Sequence, residues 1–216
     1  MYALFDLDDT LHDKKASLAV CADAMYRQFL FETAIDKAQF CQAFTAENCI
    51  IQAKSQVFEK LAITFALSGE VASAMLEYFD GNFHKFAQPF AGVMETMQFL
   101  TEQNVEIACV TNGRDFFQRN KIHALGLANY FKVIVTSGEL NIKKPDPGIF
   151  NIALARLNAS AQKSVFIGDS LQADMQPAKA LGMRTIWVNS TKQTLPSYVD
   201  HQLVDYAQFQ ELWSKP

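Results

Sequence analysis

The sequence lacks the features that mark a membrane protein or a nucleic-acid-binding protein. It has no run of about 20 apolar residues, so no membrane-spanning helix is expected. Lys and Arg number 19 against 23 Asp and Glu, the net charge is −4, and there is no basic run. Affinity for a phosphate backbone depends on clustered Lys and Arg. We therefore expect neither a nucleic-acid polymer nor a membrane as a partner.

Cysteine is scarce, and its spacing shows no pairing. The four cysteines form no CxxC pair, which argues against a disulfide framework and against a cysteine metal site. We expect buried free thiols and a cytoplasmic protein. The N-terminus carries acids where a secretory signal has Lys or Arg followed by a longer apolar run, so no signal peptide is expected.

Short apolar runs that end in turn or polar residues alternate with amphipathic segments. The runs lie at 2–5, 105–110, 132–135, 165–167 and 185–188, and the segments at about 91–103, 115–125, 147–157 and 172–181. The alternation favours right-handed βαβ crossovers and a parallel sheet that is covered on both faces. The predicted fold class is α/β, with a doubly wound, Rossmann-like parallel-sheet core. The segment at about 205–213 is predicted to be a closing helix.

One segment interrupts this alternation. Apolar residues recur at helical spacing in the stretches 16–31, 36–51, 55–67 and 70–86, and no convincing strand lies among them. The segment has only two glycines, and the first proline of the chain is Pro89. We predict an all-helical insertion over residues 14–87, with the α/β core formed by residues 1–13 and 88–216.

Polar residues follow several of the predicted strands. Three acids, Asp6, Asp8 and Asp9, come after the first strand, and Asp169 comes after a later one. In an open parallel sheet, ligands bind beyond the carboxyl ends of the strands. Carboxylates gathered at one edge repel one another, so they either shift their pKa values or hold a hard cation. Mg²⁺ suits such oxygen ligands together with a substrate phosphate, which Lys144 is placed to meet.

Four stretches in chain order resemble the motifs of the haloacid dehalogenase-like (HAD) hydrolase superfamily, in its C1-capped phosphatase branch. They are 5–11 (FDLDDTL), 110–113 (VTNG), 144–147 (KPDP) and 168–174 (GDSLQAD). The stretch 118–127 is similar to the family's helix after the second motif. The resemblance covers the α/β part, and it implies that the helical insertion is the family's C1-type cap.

The resemblance implies a Mg²⁺-dependent phosphomonoesterase that works through an aspartyl-phosphate. Asp6 is then the nucleophile, and Asp8 protonates the leaving oxygen before it accepts a proton from water. Mg²⁺ is expected on the Asp6 carboxylate, the Asp8 backbone carbonyl and Asp169. Asp174 is expected behind these ligands, and Thr10 is expected to fix the first-motif loop.

The resemblance also implies how a phosphate group is bound. The Thr111 hydroxyl and the backbone N–H groups of Asn112 and Gly113 are expected to bind phosphate oxygens. Lys144 is expected to offset the remaining negative charge and to orient Asp6. Lys143 is the neighbouring alternative, but the family's lysine directly precedes the proline, as Lys144 does.

Other residues near the motifs are interpreted as structural. Asn141 stands where many relatives have Gly, and because Asn tolerates the left-handed conformation, the loop is expected to keep its shape. His12 and Arg114 are interpreted as solvated loop residues. The aromatic residues of the insertion are interpreted mainly as core, on the basis of their helical spacing.

Asp8 also separates the possible reactions. The 2-haloacid dehalogenases form an ester at carbon and need no acid two residues after the nucleophile, so Asp8 favours phosphoryl transfer. A phosphomutase stays open, although its first motif commonly has Gly where this chain has Asp9. A non-catalytic binding protein of the same fold is the alternative from another class. The expected substrate is a small phosphorylated metabolite, and the expected assembly is a monomer or a homodimer.

Overall fold

The computed structural model describes residues 1–31, 33–50 and 52–215. The chain divides into two compact units, Met1–His12 with Pro89–Pro216 and, separately, Asp13–Gln88. None of the helices in the described ranges combines the length and the apolar character that a membrane span requires.

A parallel sheet forms the centre of the first unit. Its strands are β1 (Tyr2–Phe5), β2 (Glu106–Thr111), β3 (Phe131–Thr136), β4 (Ser164–Gly168), β5 (Arg184–Val188) and β6 (His201–Leu203). The spatial order is β3-β2-β1-β4-β5-β6, and every pairing is parallel. The predicted α/β class with a doubly wound parallel sheet is confirmed. The strand order reverses between β1 and β4, which is where open sheets of this kind bind ligands.

The helices follow the predicted order. In chain order they are α1 (Lys14–Phe29), α2 (Lys37–Cys49), α3 (Lys54–Phe65), α4 (Gly69–Asn82), α5 (Val93–Glu102), α6 (Asp115–Ala124), α7 (Ser137–Leu140), α8 (Pro147–Leu157), α9 (Gln176–Ala180) and α10 (Phe209–Trp213). The helix predicted over 172–181 is instead a π turn, Leu171–Met175, followed by α9. The helix predicted to reach Ile51 ends at Cys49, and Ile51 lies outside the described residues.

Aromatic side chains form the core of the second unit, which contains α1 to α4. The ring of Phe44 lies 5.9 Å from Phe40, 6.1 Å from Phe58 and 6.0 Å from Phe79, measured between ring centroids. Phe79 stacks on Phe83 at 4.7 Å. All five rings are buried, which confirms the interpretation of these residues as core.

All four cysteines are free, and their burial differs. Cys21 and Cys109 are buried, as predicted. Cys41 is half-buried, and Cys49 is exposed. The prediction of a buried thiol is therefore wrong for Cys49, which is the last residue of α2 and lies outside the aromatic core.

The C-terminal segment packs on the first strand and on the loop that follows it. Phe209 stacks on Phe5 at 6.1 Å, and Trp213 stacks on Phe209 at 5.8 Å. The hydroxyl of Tyr206 donates to the backbone oxygen of Thr10 at 2.9 Å. The predicted closing helix is confirmed as a short 3₁₀ turn followed by α10, and it supports the loop that carries the first-motif acids.

Candidate active site

Strand ends bring the predicted site residues to one edge of the sheet. Asp6 follows β1, and its backbone N–H donates to the carbonyl of Ile167 in β4 at 2.9 Å. Thr111 is the last residue of β2, and Asp169 follows β4. Because β2 and β4 flank β1 in parallel register, these side chains share the same carboxyl-terminal edge.

A buried lysine lies between two of the acids. The Lys144 Nζ is 2.6 Å from Asp6 Oδ1 and 2.7 Å from Asp174 Oδ1, and the Lys144 side chain is 2% exposed. Burial alone would lower the pKa of Lys144, but the Asp174 and Asp6 carboxylates hold it above its usual value. The Asn112 side chain accepts from the Lys144 N–H and donates to its carbonyl, at 2.8 and 3.0 Å. Lys143, by contrast, is exposed.

Three carboxylates form a group that suits a cation. Oxygen atoms of Asp6, Asp169 and Asp174 lie within 4.8 Å of one another. Burial, then the charges of Asp6 and Asp174, raise the pKa of Asp169 to about 8. Burial also raises the pKa of Asp6 to about 6, although Lys144 opposes this shift. An all-oxygen donor set with this much negative charge fits a hard divalent ion such as Mg²⁺.

The position of Asp174 depends on a glycine. A Cβ atom on Gly168 would lie 2.5 Å from Asp174 Oδ2, so a side chain at residue 168 would displace the carboxylate. The backbone N–H of Ser170 donates to the same oxygen at 3.1 Å. The spacing of Gly168, Ser170 and Asp174 therefore aims this carboxylate at Lys144.

Asp8 is held by a different set of residues. The Lys121 Nζ contacts both carboxylate oxygens, Oδ1 at 2.5 Å and Oδ2 at 2.6 Å. His12 Nδ1 lies 2.6 Å from Oδ1, and Gln118 Nε2 donates to Oδ2 at 3.2 Å. Burial would raise the pKa of Asp8, but the Lys121 ammonium and the His12 contact hold it well below its usual range. Asp8 is therefore a carboxylate in this arrangement.

Two of these partners, Gln118 and Lys121, were not predicted, and the interpretation of His12 is wrong. His12 is fully buried because the loop turns back on itself. The His12 backbone N–H donates to the Leu7 carbonyl, and the His12 carbonyl accepts from the Asp9 N–H. Gln118 and Lys121 lie one turn apart on the buried face of α6. The sequence signal that could have identified them is the presence of two polar residues on the same face of α6 as the apolar Ile122.

The turn after β2 is held by its own hydrogen bonds. Thr111 Oγ1 accepts from Gln118 Nε2 at 2.6 Å. The N–H of Gly113 donates to the Ser137 hydroxyl at 2.9 Å. The Asn112 side chain is engaged by the backbone of Lys144.

Thr10, Asn141 and Arg114 differ in burial. Thr10 is buried, and its hydroxyl oxygen has no hydrogen-bond partner among the described residues. Asn141 adopts the left-handed conformation, with φ 54° and ψ 27°, which Asn tolerates better than other non-glycine residues. Arg114 is exposed, and its guanidinium lies 5.0 Å from the centroid of the Phe117 ring.

These motifs match a known family over most of the chain. The profile of the family described as haloacid dehalogenase-like hydrolase matches residues 3–188. The chain belongs to this family. The prediction of a HAD-type hydrolase is thereby confirmed.

Two phosphatases and one solved structure illustrate what this HAD hydrolase is similar to. It is 33% identical over 122 residues to a glyceraldehyde 3-phosphate phosphatase from Methanopyrus kandleri, a match that covers 56% of this chain and 52% of that protein. It is 29% identical over 186 residues to a phosphoglycolate phosphatase from Pseudomonas syringae, covering 85% and 67%. A HAD-hydrolase from Bacillus subtilis, solved bound to magnesium, superposes with TM-score 0.78 at 21% identity, covering 99% and 98%. The chain thus spans about half the length of the first of these curated relatives.

Proposed function

We propose that this HAD hydrolase is a Mg²⁺-dependent phosphomonoesterase that acts on a small phosphorylated metabolite in the cytoplasm. The observation that carries the proposal is the Lys144 ammonium between Asp6 and Asp174, with Asp169 completing an oxygen cluster. The phosphatase names of the curated relatives support the same reaction. The four free thiols suit a reducing compartment.

Asp6 and Asp8 divide the proposed chemistry. An Asp6 carboxylate oxygen attacks phosphorus, the bond from phosphorus to the leaving oxygen breaks, and Asp8 gives that oxygen a proton. A water then attacks the phosphorus of the aspartyl-phosphate, Asp8 takes its proton, and the Asp6 carboxylate is restored. The ionised Asp8 of this structure suits the second step. For the first step Asp8 has to gain a proton, and a phosphate monoester that binds as the monoanion brings one.

Binding of the phosphate group is assigned to the neighbouring residues. The Thr111 hydroxyl and the Asn112 N–H are donors at the end of β2. The Gly113 N–H becomes a third donor if it releases the Ser137 hydroxyl. The Lys144 ammonium offsets charge beside Asp6. Asp6, Asp169 and the backbone carbonyl of Asp8 are the proposed Mg²⁺ ligands, with Asp174 beside them. When bound, the cation neutralises phosphate charge that would otherwise repel the Asp6 carboxylate.

The space beside these residues supports a small substrate. A cavity of about 460 Å³ adjoins Asp169 and Asp9, and its lining combines apolar residues such as Val188 and Leu203 with polar ones such as Asp205. Pockets of this size take small metabolites. The Lys121 and His12 contacts on Asp8 disfavour the 2-haloacid dehalogenase alternative, because that chemistry needs no acid at this position.

The proposal is tested by phosphate release from a panel of sugar phosphates, nucleoside monophosphates and phosphorylated acids. We expect release in the presence of Mg²⁺, loss of release in EDTA, and recovery when Mg²⁺ is added back. The ranking of the compounds then gives the substrate class. Release that is unaffected by EDTA would contradict the metal assignment, and no release from any compound would contradict the phosphatase assignment.

A further inference from the structure

Two residues of α6 connect the acid of the first motif with the turn that follows β2. We propose that Lys121 and Gln118 are positioning residues: Lys121 fixes the Asp8 carboxylate for proton transfer, and Gln118 aims the Thr111 hydroxyl at the substrate phosphate. The inference rests on the proposed phosphomonoesterase function and assigns residues outside its four motifs.

The contact between Lys121 and Asp8 fixes the orientation of the carboxylate. One ammonium reaches both oxygens, at 2.5 and 2.6 Å, and the Lys121 side chain is 3% exposed. The same ammonium lies over the Phe117 ring, 5.4 Å from its centroid. A buried ion pair contributes little net stability, because desolvation offsets the attraction. A buried lysine at this position is therefore better explained by the orientation of Asp8 than by stability.

Gln118 determines where the Thr111 hydroxyl proton points. Its Nε2 carries two hydrogens and has three acceptors within reach, Thr111 Oγ1 at 2.6 Å, the Asn112 carbonyl at 3.1 Å and Asp8 Oδ2 at 3.2 Å. The shortest of these contacts makes Thr111 Oγ1 an acceptor. The Thr111 hydroxyl proton is thus left to donate to another acceptor, and we assign a phosphate oxygen to that position.

A second, independent observation concerns Gly113. A Cβ atom at this position would lie 2.8 Å from Gln118 Cδ and 2.9 Å from Gln118 Cγ. The glycine of the Thr-Asn-Gly turn therefore leaves room for the buried Gln118 side chain. The turn after β2 and α6 pack closely around the Gln118 side chain, which is 1% exposed.

The test of Lys121 compares two leaving groups. A phenolate such as p-nitrophenolate leaves without much help from an acid, whereas an alkoxide needs the proton, so a positioning role predicts unequal losses. We expect Lys121→Met to lower kcat/KM for glycerol phosphate by about 10²-fold or more, and for p-nitrophenyl phosphate by less than about tenfold. Because kcat/KM covers the steps up to phosphorylation of Asp6, slow hydrolysis of the intermediate does not mask the difference.

Lys132→Met is the matched control, because Lys132 is an exposed lysine that pairs with Glu106 on the sheet surface. It is expected to leave both substrates unaffected. Equal losses on the two substrates in Lys121→Met, or no loss on either, would overturn the assignment of Lys121. A wild-type chain that is inactive on both substrates would instead overturn the proposed function, so the two failures are distinguishable.

Gln118→Leu tests the second half of the inference. Since the phosphate group is common to both substrates, misdirection of the Thr111 hydroxyl is expected to raise KM by about tenfold for each of them. An unchanged KM for both substrates would overturn the role of Gln118. Circular dichroism of each variant, compared with the wild type, identifies a variant that has failed to fold.

Discussion

Asp6→Asn is expected to lower phosphate release by about 10⁴-fold or more, and to leave the fold intact. The carboxamide has nearly the shape of the carboxylate, but it lacks the anionic oxygen that we propose attacks phosphorus. Lys144 keeps its contact with Asp174 in the variant, so the buried ammonium retains a partner. Phosphate release with saturating Mg²⁺ measures the activity, and the midpoint of thermal unfolding reports the fold.

A change from carboxylate to amide at the protein surface is the control. Asp23→Asn alters a carboxylate that pairs with Arg27 and Lys37 at the surface of the second unit, and it is expected to retain activity. Phosphate release by Asp6→Asn within about tenfold of the wild-type rate would remove Asp6 from the role of nucleophile.

Lys144→Met is expected to cost stability as well as activity. The substitution leaves the buried Asp6 and Asp174 carboxylates facing each other without the ammonium, and breaking a buried pair in this way costs about 3–5 kcal/mol. Urea denaturation at pH 8 in EDTA measures this loss. Lys179→Met, which breaks the partly exposed pair with Asp200, is expected to cost about 1 kcal/mol or less.

The unfolding free energy of Lys144→Met is expected to depend on pH through the buried carboxyl groups. Burial has already raised the pKa of Asp6 to about 6 and that of Asp169 to about 8, above the values of an unfolded chain. Without Lys144, the folded protein binds still more protons than the unfolded one, so its stability rises as the pH falls from 8 to 5. The difference in unfolding free energy between wild type and Lys144→Met is expected to shrink over that range. An equal deficit at both pH values would contradict the charge-based explanation.

The order of strands and helices is predictable from the sequence, and the exceptions have local causes. β6 was missed because its three residues, His201–Leu203, include polar side chains at the sheet edge and form no apolar run. The π turn before α9 was missed because it accompanies a hydrogen bond from the Ser170 N–H to the Asp174 carboxylate. Helical periodicity cannot report a side-chain contact of this kind.

The strand-end residues of the candidate site were also predictable. Asp6, Thr111 and Asp169 follow or end apolar runs, and parallel pairing alone brings them to one edge. Lys121 and Gln118 were not predictable in this way, because their partner Asp8 lies more than 100 residues away in the chain. His12 was misassigned because the reversal of the loop onto Leu7 buries it, which local polarity does not indicate.

The proposed chemistry depends on a covalent intermediate between Asp6 and phosphorus. Hydrolysis of a chiral [¹⁶O,¹⁷O]thiophosphate monoester in water labelled with ¹⁸O tests it directly, because the configuration of the released thiophosphate reports whether phosphorus undergoes one displacement or two. We predict net retention of configuration, because attack by Asp6 and then attack by water each invert phosphorus. Net inversion would show that water attacks the substrate in a single step, and it would contradict the account.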